Sequence, residues 1–356
     1  MSSSSSDEEE AYRGKSRSER AAARGRSSSQ RAAAPGKSSS ASAAVRVKST
    51  SASAATRVKS SSARAPAGGL SIWAEVGVAP FKDGQYVRLF NRGRGGYLFA
   101  DESGRGVSID SRRGMVNTAW AVQILETETN YYVLLRGAYG RHLAVTRVVS
   151  PTGHIGCNAA QCVFDDPDDT HVMWWTAPGK NGSVVLLHGT SAGLRALRAN
   201  GRYRRWHKCV TVEAINRSRV TSMMEWEVEV IPLRVERPPY QLRPGGADTP
   251  WHPGSAEKME VNCVVADDNG STDGQVWGAI PFCGRSLLEL GNVLAQRLGN
   301  GVNFQDITLF IQAGNLGQPT LLLTDLPHRD DRVDIVVFRV GTAGHDRLLF
   351  PDLDAE

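Results

Sequence analysis

Apolar and polar positions alternate in short runs between about residues 79 and 232, and the alternation is read out three times. Val87-Arg-Leu89 leads to Leu98-Phe-Ala100 and closes on Trp120; Val133-Leu-Leu135 leads to Leu143-Ala-Val145 and Trp174; Val185-Leu-Leu187 leads to Leu197-Arg-Ala199 and Trp226. The opening valines lie 46 and 52 residues apart, a spacing that marks three copies of one supersecondary unit. In the first copy Tyr86 to Phe90, Tyr97 to Ala100, Val107 to Asp110 and Ala119 to Leu125 read as four short strands, separated by the glycine-rich turns Asn91-Arg-Gly-Arg-Gly-Gly96 and Glu102-Ser-Gly-Arg-Gly106. Periodicity by itself establishes three all-β repeats, near 86–125, 132–177 and 184–231. Three copies are too few for a β-propeller, and twelve strands fit a closed three-fold barrel with a hairpin cap, a β-trefoil spanning residues 70–232.

The pattern then changes. Six prolines, Pro232, Pro238, Pro239, Pro244, Pro250 and Pro253, predict a stiff, extended linker over 233–257. Beyond it Met259 to Ala266 and Val276 to Phe282 read as strands, with a turn at Asp267-Asp-Asn-Gly270. The apolar period next lengthens to that of a helix. Ser286-Leu-Leu-Glu289 has the form of a capping box, Leu287, Leu290, Leu294 and Leu298 mark one face, and Gly299 stops the helix. Strands at Asp306 to Gln312, Thr320 to Leu323 and Val333 to Val340 complete a β-β-α-β-β-β order over 258–341, which resembles a ubiquitin-like β-grasp. The acidic end, 342–356, is expected to be a loose tail.

Composition adds a third region. Residues 1–69 carry 20 serines and almost no large hydrophobic side chains, so they predict a disordered Ser/Ala/Arg-rich tail. The net charge of +5 divides unevenly: the tail holds 13 Lys plus Arg against 5 acidic residues, a net +8, and the remainder holds 29 against 32, a net −3. General attraction to nucleic acid or anionic surfaces is therefore expected of the tail. Ser38 to Lys48 recurs as Ser49 to Lys59, and Arg24-Gly-Arg-Ser27 and Arg57-Val-Lys-Ser60 place serines after basic residues, where phosphate would offset the charge. Five cysteines, an odd number with no secretory segment before them, predict a reduced intracellular protein. No apolar run approaches the ~18 residues that would span a bilayer, so a soluble chain without a membrane partner is expected. The cytoplasm is the expected compartment, with nucleus or plastid as alternatives; Asp7-Glu-Glu-Glu10 is at odds with a transit peptide.

Val87-Arg-Leu89, Tyr97-Leu-Phe-Ala-Asp-Glu102 and Asn117-Thr-Ala-Trp120, with Tyr139-Gly-Arg-His-Leu143, Leu197-Arg-Ala-Asn-Gly201, Trp206-His-Lys-Cys-Val-Thr211 and Met224-Glu-Trp-Glu-Val228, carry a resemblance that covers most of the folded chain. They resemble the plant fascin-like family, described as actin cross-linking proteins and built on a domain of unknown function. The resemblance implies the β-trefoil, the ubiquitin-like domain after it, and actin filaments as a partner. The long tail departs from the family pattern.

No catalytic constellation emerges, and an enzyme is not expected. There is no P-loop, nucleophile elbow or H-E-x-x-H, and Gly93-Arg-Gly-Gly96 lacks the third glycine and the helix of a dinucleotide site. His154, Cys157, Cys162 and His171 are zinc-type ligands without the paired C-x2-C spacing, and read as a solvated loop with half-buried thiols. Asp267 to Gly274 departs from the calcium-loop pattern at Thr272 and Gly278 and reads as a hairpin turn. Neither a metal nor a cofactor is expected. A carbohydrate-binding trefoil is the minority reading, because the repeats close on Thr118-Ala-Trp120, Val172-Met-Trp174 and Met224-Glu-Trp226 where sugar-binding trefoils characteristically carry Gln-x-Trp.

The copies differ most in the third. From Gly189 to Val212 there is no acidic residue, while Arg195, Arg198, Arg202, Arg204, Arg205 and Lys208 gather around Tyr203, Trp206 and His207. Such a run is ordinarily a solvated face. Six cations beside aromatics also suit an acidic protein surface such as an actin filament, or a nucleic-acid backbone. The expectation is a non-enzymatic binding protein; an adaptor using the cationic tail and a protein partner of the ubiquitin-like domain is the alternative.

Overall fold

The computed structural model describes residues 77–127, 130–201, 208–215, 220–242, 258–299, 301–328 and 332–355. The basic tail, the residues 243–257 of the predicted linker, and Arg202, Arg204 and Arg205 lie outside them.

Four strands form in each repeat, close to the predicted bounds. They are β1 Tyr86–Asn91, β2 Gly96–Ala100, β3 Val107–Asp110 and β4 Trp120–Glu126; β5 Tyr131–Arg136, β6 His142–Val149, β7 Cys157–Cys162 and β8 Trp175–Pro178; and β9 Val184–Thr190, β10 Gly193–Ala199, β11 Val210–Ala214 and β12 Glu227–Ile231. β1 pairs with β4, β4 with β5, and β8 with β9, while β12 returns to pair with β1 from Tyr86↔Ile231 to Phe90↔Glu227. Bridges at Val133↔Trp174 and Val184↔Trp226 join the remaining neighbours and close the barrel. The hairpins β2–β3, β6–β7 and β10–β11 meet at one end, through Thr211↔Asn158, Ser108↔Cys209 and Gly106↔Ala160. This is a β-trefoil: closure removes the barrel edges that three separate units would expose.

Inside the barrel, alternation sends Val87 and Leu89, Val133 and Leu135, and Leu98, Leu143 and Leu197 to a common core with Trp120, Trp174 and Trp226. One register differs from the sequence reading. In the third repeat Val184 and Leu186 face this core, and Val185 and Leu187 face an outer cluster with Ala177, Ala196 and Met224. All four residues of Val184-Val-Leu-Leu187 are apolar, so a period of two fits either register; the Val184↔Trp226 bridge selects one.

The second domain comprises β14 Lys258–Val265, β15 Gly278–Cys283, α1 Leu287–Leu298, β16 Ile307–Gln312, β17 Thr320–Leu321 and β18 Arg332–Arg339, with sheet order β15-β14-β18-β16-β17 and a parallel β14–β18 pair. This is the ubiquitin-like β-grasp. Ser286 caps α1, its side chain accepting the Glu289 amide at 3.3 Å, and Leu287, Leu290 and Leu294 bury against one sheet face. Gly299 ends the helix at φ 140°, a conformation costly for a residue with a Cβ.

Two expectations are corrected. Residues 232–242 are not a free linker. β13, Leu233–Arg234, is paired in a sheet, Arg237 lies 4.5 Å over the Tyr240 ring, and Tyr240 stacks on Phe304 at 4.7 Å. Gln241 donates to the Gly114 carbonyl at 2.6 Å and accepts the Val116 amide at 2.8 Å. Nor is the acidic end loose: after the short helix α2, Ala343–Asp346, β19 Phe350–Pro351 pairs with β13, and Phe350 and Leu353 are each 2% exposed. The apolar members of an otherwise acidic run supply the anchor that net charge concealed.

Both corrections have one cause. The sheet face opposite α1, with Val264, Phe310, Val336 and Phe338, packs in a single cluster with Val116, Ala119, Tyr139 and Ile231 of the trefoil and with Phe350 and Leu353. Trefoil and β-grasp share this core.

Candidate functional site

Within the basic third repeat, β10 and β11 are in register from Arg195↔Ala214 to Ala199↔Val210. Strand alternation separates the described cations. Arg195, in phase with the core-facing Leu197, donates to the Cys157 sulfur at 3.3 Å; Arg198 points the other way, pairing with Glu213 at 2.5 Å and donating to Asn200 at 3.2 Å. Lys208 lies 3.8 Å from Asp110, whose carboxyl is held below the usual range by its hydrogen bonds to Arg112. The six cations therefore do not make one face. Arg195, Arg198 and Lys208 are partly occupied by partners, and the sequence between Ala199 and Val210 adds Arg202, Arg204 and Arg205.

A second group of arginines, on the outside of the first repeat, escaped the sequence reading. Arg88 sits between core-facing Val87 and Leu89 and so points outward, at the position held by Leu134 in the second repeat and Val185 in the third. It is fully buried nonetheless, and its Nη2 donates to the Leu353 carbonyl at 2.6 Å. Arg113 binds Glu229 at 2.9 Å and donates to the Ala355 carbonyl; Arg234 pairs with Asp352 at 3.2 Å. Burial, and then the neighbouring Arg113, pull the Arg88 guanidinium below the usual arginine range, against the opposing Glu229, Tyr97 and Asp354. The available signal was a cation at an outward position that is aliphatic in both sister repeats.

The zinc-type residues are not brought together. Cys157 and Cys162 stand at opposite ends of β7, and His171 is tied to Asp169 at 2.8 Å. Among the described residues no three His, Cys, Asp or Glu side chains form a group able to hold a metal, and none of the five cysteines is in a disulfide. The Asp267 carboxylate accepts the Asn269 and Ser271 amides of its own turn. A cleft of about 340 Å³ opens between the domains, lined by Tyr139, Arg141, Asp165, Asn315 and Asp334 among others. Asp165 there takes the Asn315 amide across the interface at 2.7 Å, and Asp334 takes Asn262 and Arg332 of its own sheet at 2.7 and 3.2 Å, so both carboxylates are engaged in structure. No helix among the described residues is long and apolar enough to cross a membrane.

Family models match the chain twice. The first, a β-trefoil domain of unknown function (DUF569), covers residues 78–226; the second, the DUF569-associated ubiquitin-like domain, covers residues 257–338. The chain belongs to the DUF569 family. No curated protein matches it significantly. Solved structures similar to this DUF569 chain include the designed three-fold symmetric protein ThreeFoil, at 19% identity, covering 40% of this chain and 96% of that one with a TM-score of 0.32. A ricin B-like lectin of Macrolepiota procera in complex with lactose is 13% identical, covering 42% and 99% with a TM-score of 0.32. The SDF2-like protein of Arabidopsis thaliana is 17% identical, covering 41% and 93% with a TM-score of 0.31.

Proposed function

We propose that this DUF569 chain is a non-enzymatic binding protein whose third-repeat hairpin engages an acidic protein surface, with actin filaments as the partner that the fascin-like resemblance implies. The observation that carries this reading is the β10–β11 hairpin: two strands locked at Ala199↔Val210, joined by a connection with Arg202, Arg204, Arg205, Lys208 and no acid. Arginine forks suit carboxylate-rich surfaces, and exposed pairs are each worth only about 0–1 kcal/mol, so several must act together and the contact weakens with salt. Cross-linking requires two sites, so one trefoil binds filaments and bundling draws on a further contact.

The adaptor alternative meets an obstacle in the fold. The apolar β-grasp sheet face opposite α1 is covered by the trefoil.

Co-sedimentation of the full chain with actin filaments at low and physiological salt tests the reading. The chain pellets with filaments at low salt, less so at physiological salt, and the triple variant Arg202→Glu, Arg204→Glu, Arg205→Glu stays in the supernatant. Retention in the supernatant at both salts, with steeply salt-dependent binding to RNA, transfers the function to nucleic acid and the tail.

A further inference from the structure

The first repeat's outward face holds a cation that its present neighbours satisfy poorly. Arg88 is buried with Nε and Nη1 unpartnered, and its Nη2 meets a neutral backbone carbonyl. Arg113 stands near it, Arg234 on β13 pairs with the same covering segment, and that segment, Phe350–Ala355, reaches all three and contributes Asp352 and Asp354. The segment is a strand at Phe350–Pro351 and turns at Leu353–Asp354, and it is held by a β-pair, Leu233↔Pro351, by the Asp352 amide on the Pro232 carbonyl at 2.8 Å, and by the buried Leu353. These are the parts of a peptide-recognition mode: main-chain pairing for affinity, an aliphatic anchor, and arginines for acidic side chains. Nε and Nη1 point to different sides of the guanidinium, so a carboxylate reaching either one would add the opposite charge that the neutral Leu353 carbonyl lacks.

We propose that the outward face of the first repeat, lined by Arg88, Arg113 and Arg234, is a recognition site for a short acidic peptide segment of a partner protein, one strand pair followed by a turn, and that the chain's own Phe350–Ala355 segment fills it until that partner arrives. Charge complementarity and the seated segment name the occupant: an aliphatic residue flanked by acids. The site is separate from the third-repeat hairpin. It shares with the functional reading only the acidic character of the partner.

A tethered occupant competes at an effective concentration in the millimolar range, so severing the tether must unmask the site. In the full chain, a protease-cleavable insertion is placed between Leu348 and the exposed Leu349. A fluorescent peptide with the sequence of residues 349–356 is then titrated in by anisotropy. The cut chain binds the peptide roughly tenfold or more tightly than the uncut chain, binding weakens by about tenfold when Asp352 and Asp354 of the peptide become Asn, and Arg113→Gln weakens it likewise. A cut chain that keeps its circular dichroism and fails to bind, or that binds the Asn peptide equally well, overturns the proposal. So does dimerisation of the cut or uncut chain by segment exchange, which would make a second copy the occupant. In the intact chain, hydrogen exchange is a second check: the Asp352 amide exchanges through local opening well before the amides of Val333 to Val337, and exchange only with global unfolding refutes a displaceable segment. None of these readouts involves actin, so either hypothesis can fail alone.

Discussion

The indole nitrogen of Trp226 donates to the carbonyl of Leu197 at 3.1 Å, joining the residue that closes the third repeat to that repeat's second strand. Trp174 makes the same bond to Leu143 at 2.9 Å and Trp120 to Leu98 at 3.0 Å, and all three indoles are fully buried. The recurring Leu and Trp are thus two ends of one repeated device, which fills the barrel and satisfies a buried donor without water.

Replacing any one of these tryptophans by Phe removes ring volume from a closed core and leaves the facing carbonyl unsatisfied. The expected loss for Trp174→Phe is about 2–4 kcal/mol, read as a shift in denaturant midpoint at unchanged slope. Trp120→Phe and Trp226→Phe should match it within about 1 kcal/mol, because the environments repeat. A cost confined to one repeat would show that the three bonds are not equivalent.

His142, at the start of β6, is fully buried, lies edge-on to Phe164 at 5.5 Å, and has no partner on either nitrogen. Burial first, and then Arg136, lower its pKa from 6.5 to about 3. Between those values the unfolded chain takes up a proton that the folded chain refuses. The stabilisation is complete above 6.5 and is lost as pH falls toward 3, at up to about 1.4 kcal/mol per pH unit from this group. Thermal unfolding across that window should show a slope that His142→Leu reduces; an unchanged slope would place the titration elsewhere.

How much of this was legible in sequence depended on whether local pattern or distant contact decides a residue's place. The three repeats with their strands and the α1 cap follow from alternation and spacing between neighbours in sequence, and the barrel from the strand count joined to the family resemblance. Val184 against Val185 could not be resolved, since four consecutive apolar residues carry no phase and the deciding bridge comes from Trp226, 42 positions away. The ends of the second domain misled for a related reason. Prolines announced a linker and acids a tail, yet Tyr240, Phe350 and Leu353 are placed by surfaces that exist only once both domains have formed. In the third repeat the run of arginines was visible, but its strand geometry sends Arg195 and Arg198 apart. The cation with the most unusual surroundings, Arg88, looked like an ordinary strand residue.

Phe310 and Phe338 pack with tilted rings, centroids 5.1 Å apart, on the sheet face that packs against the trefoil. Because that cluster contains Val116, Tyr139 and Ile231, damage on one side is felt on the other. Phe310→Ala is expected to cost about 3–5 kcal/mol. By hydrogen exchange the loss should appear in the amides around Ala119 and Ile231 as well as in β16 and β18. Destabilisation restricted to the β-grasp would mean that the domains unfold independently.

Among the described residues β15 is an edge strand, with no strand on its outer side in the sheet order β15-β14-β18-β16-β17. Pro281, opposite Glu260, has no amide hydrogen to give either neighbour, and a proline in a strand is expected in a non-hydrogen-bonded pair with its nitrogen toward the free edge. That leaves only Ala279 and Cys283 as donors along the edge, and the gap between them interrupts any added strand. The proline is exposed, and its removal should leave stability within about 0.5 kcal/mol while restoring a continuous edge. Pro281→Val is therefore expected to self-associate at concentrations where the parent chain sediments at its starting mass. Equal sedimentation of the two would show that exposed Val276 and Trp277, or the geometry of the strand itself, already keep other strands away.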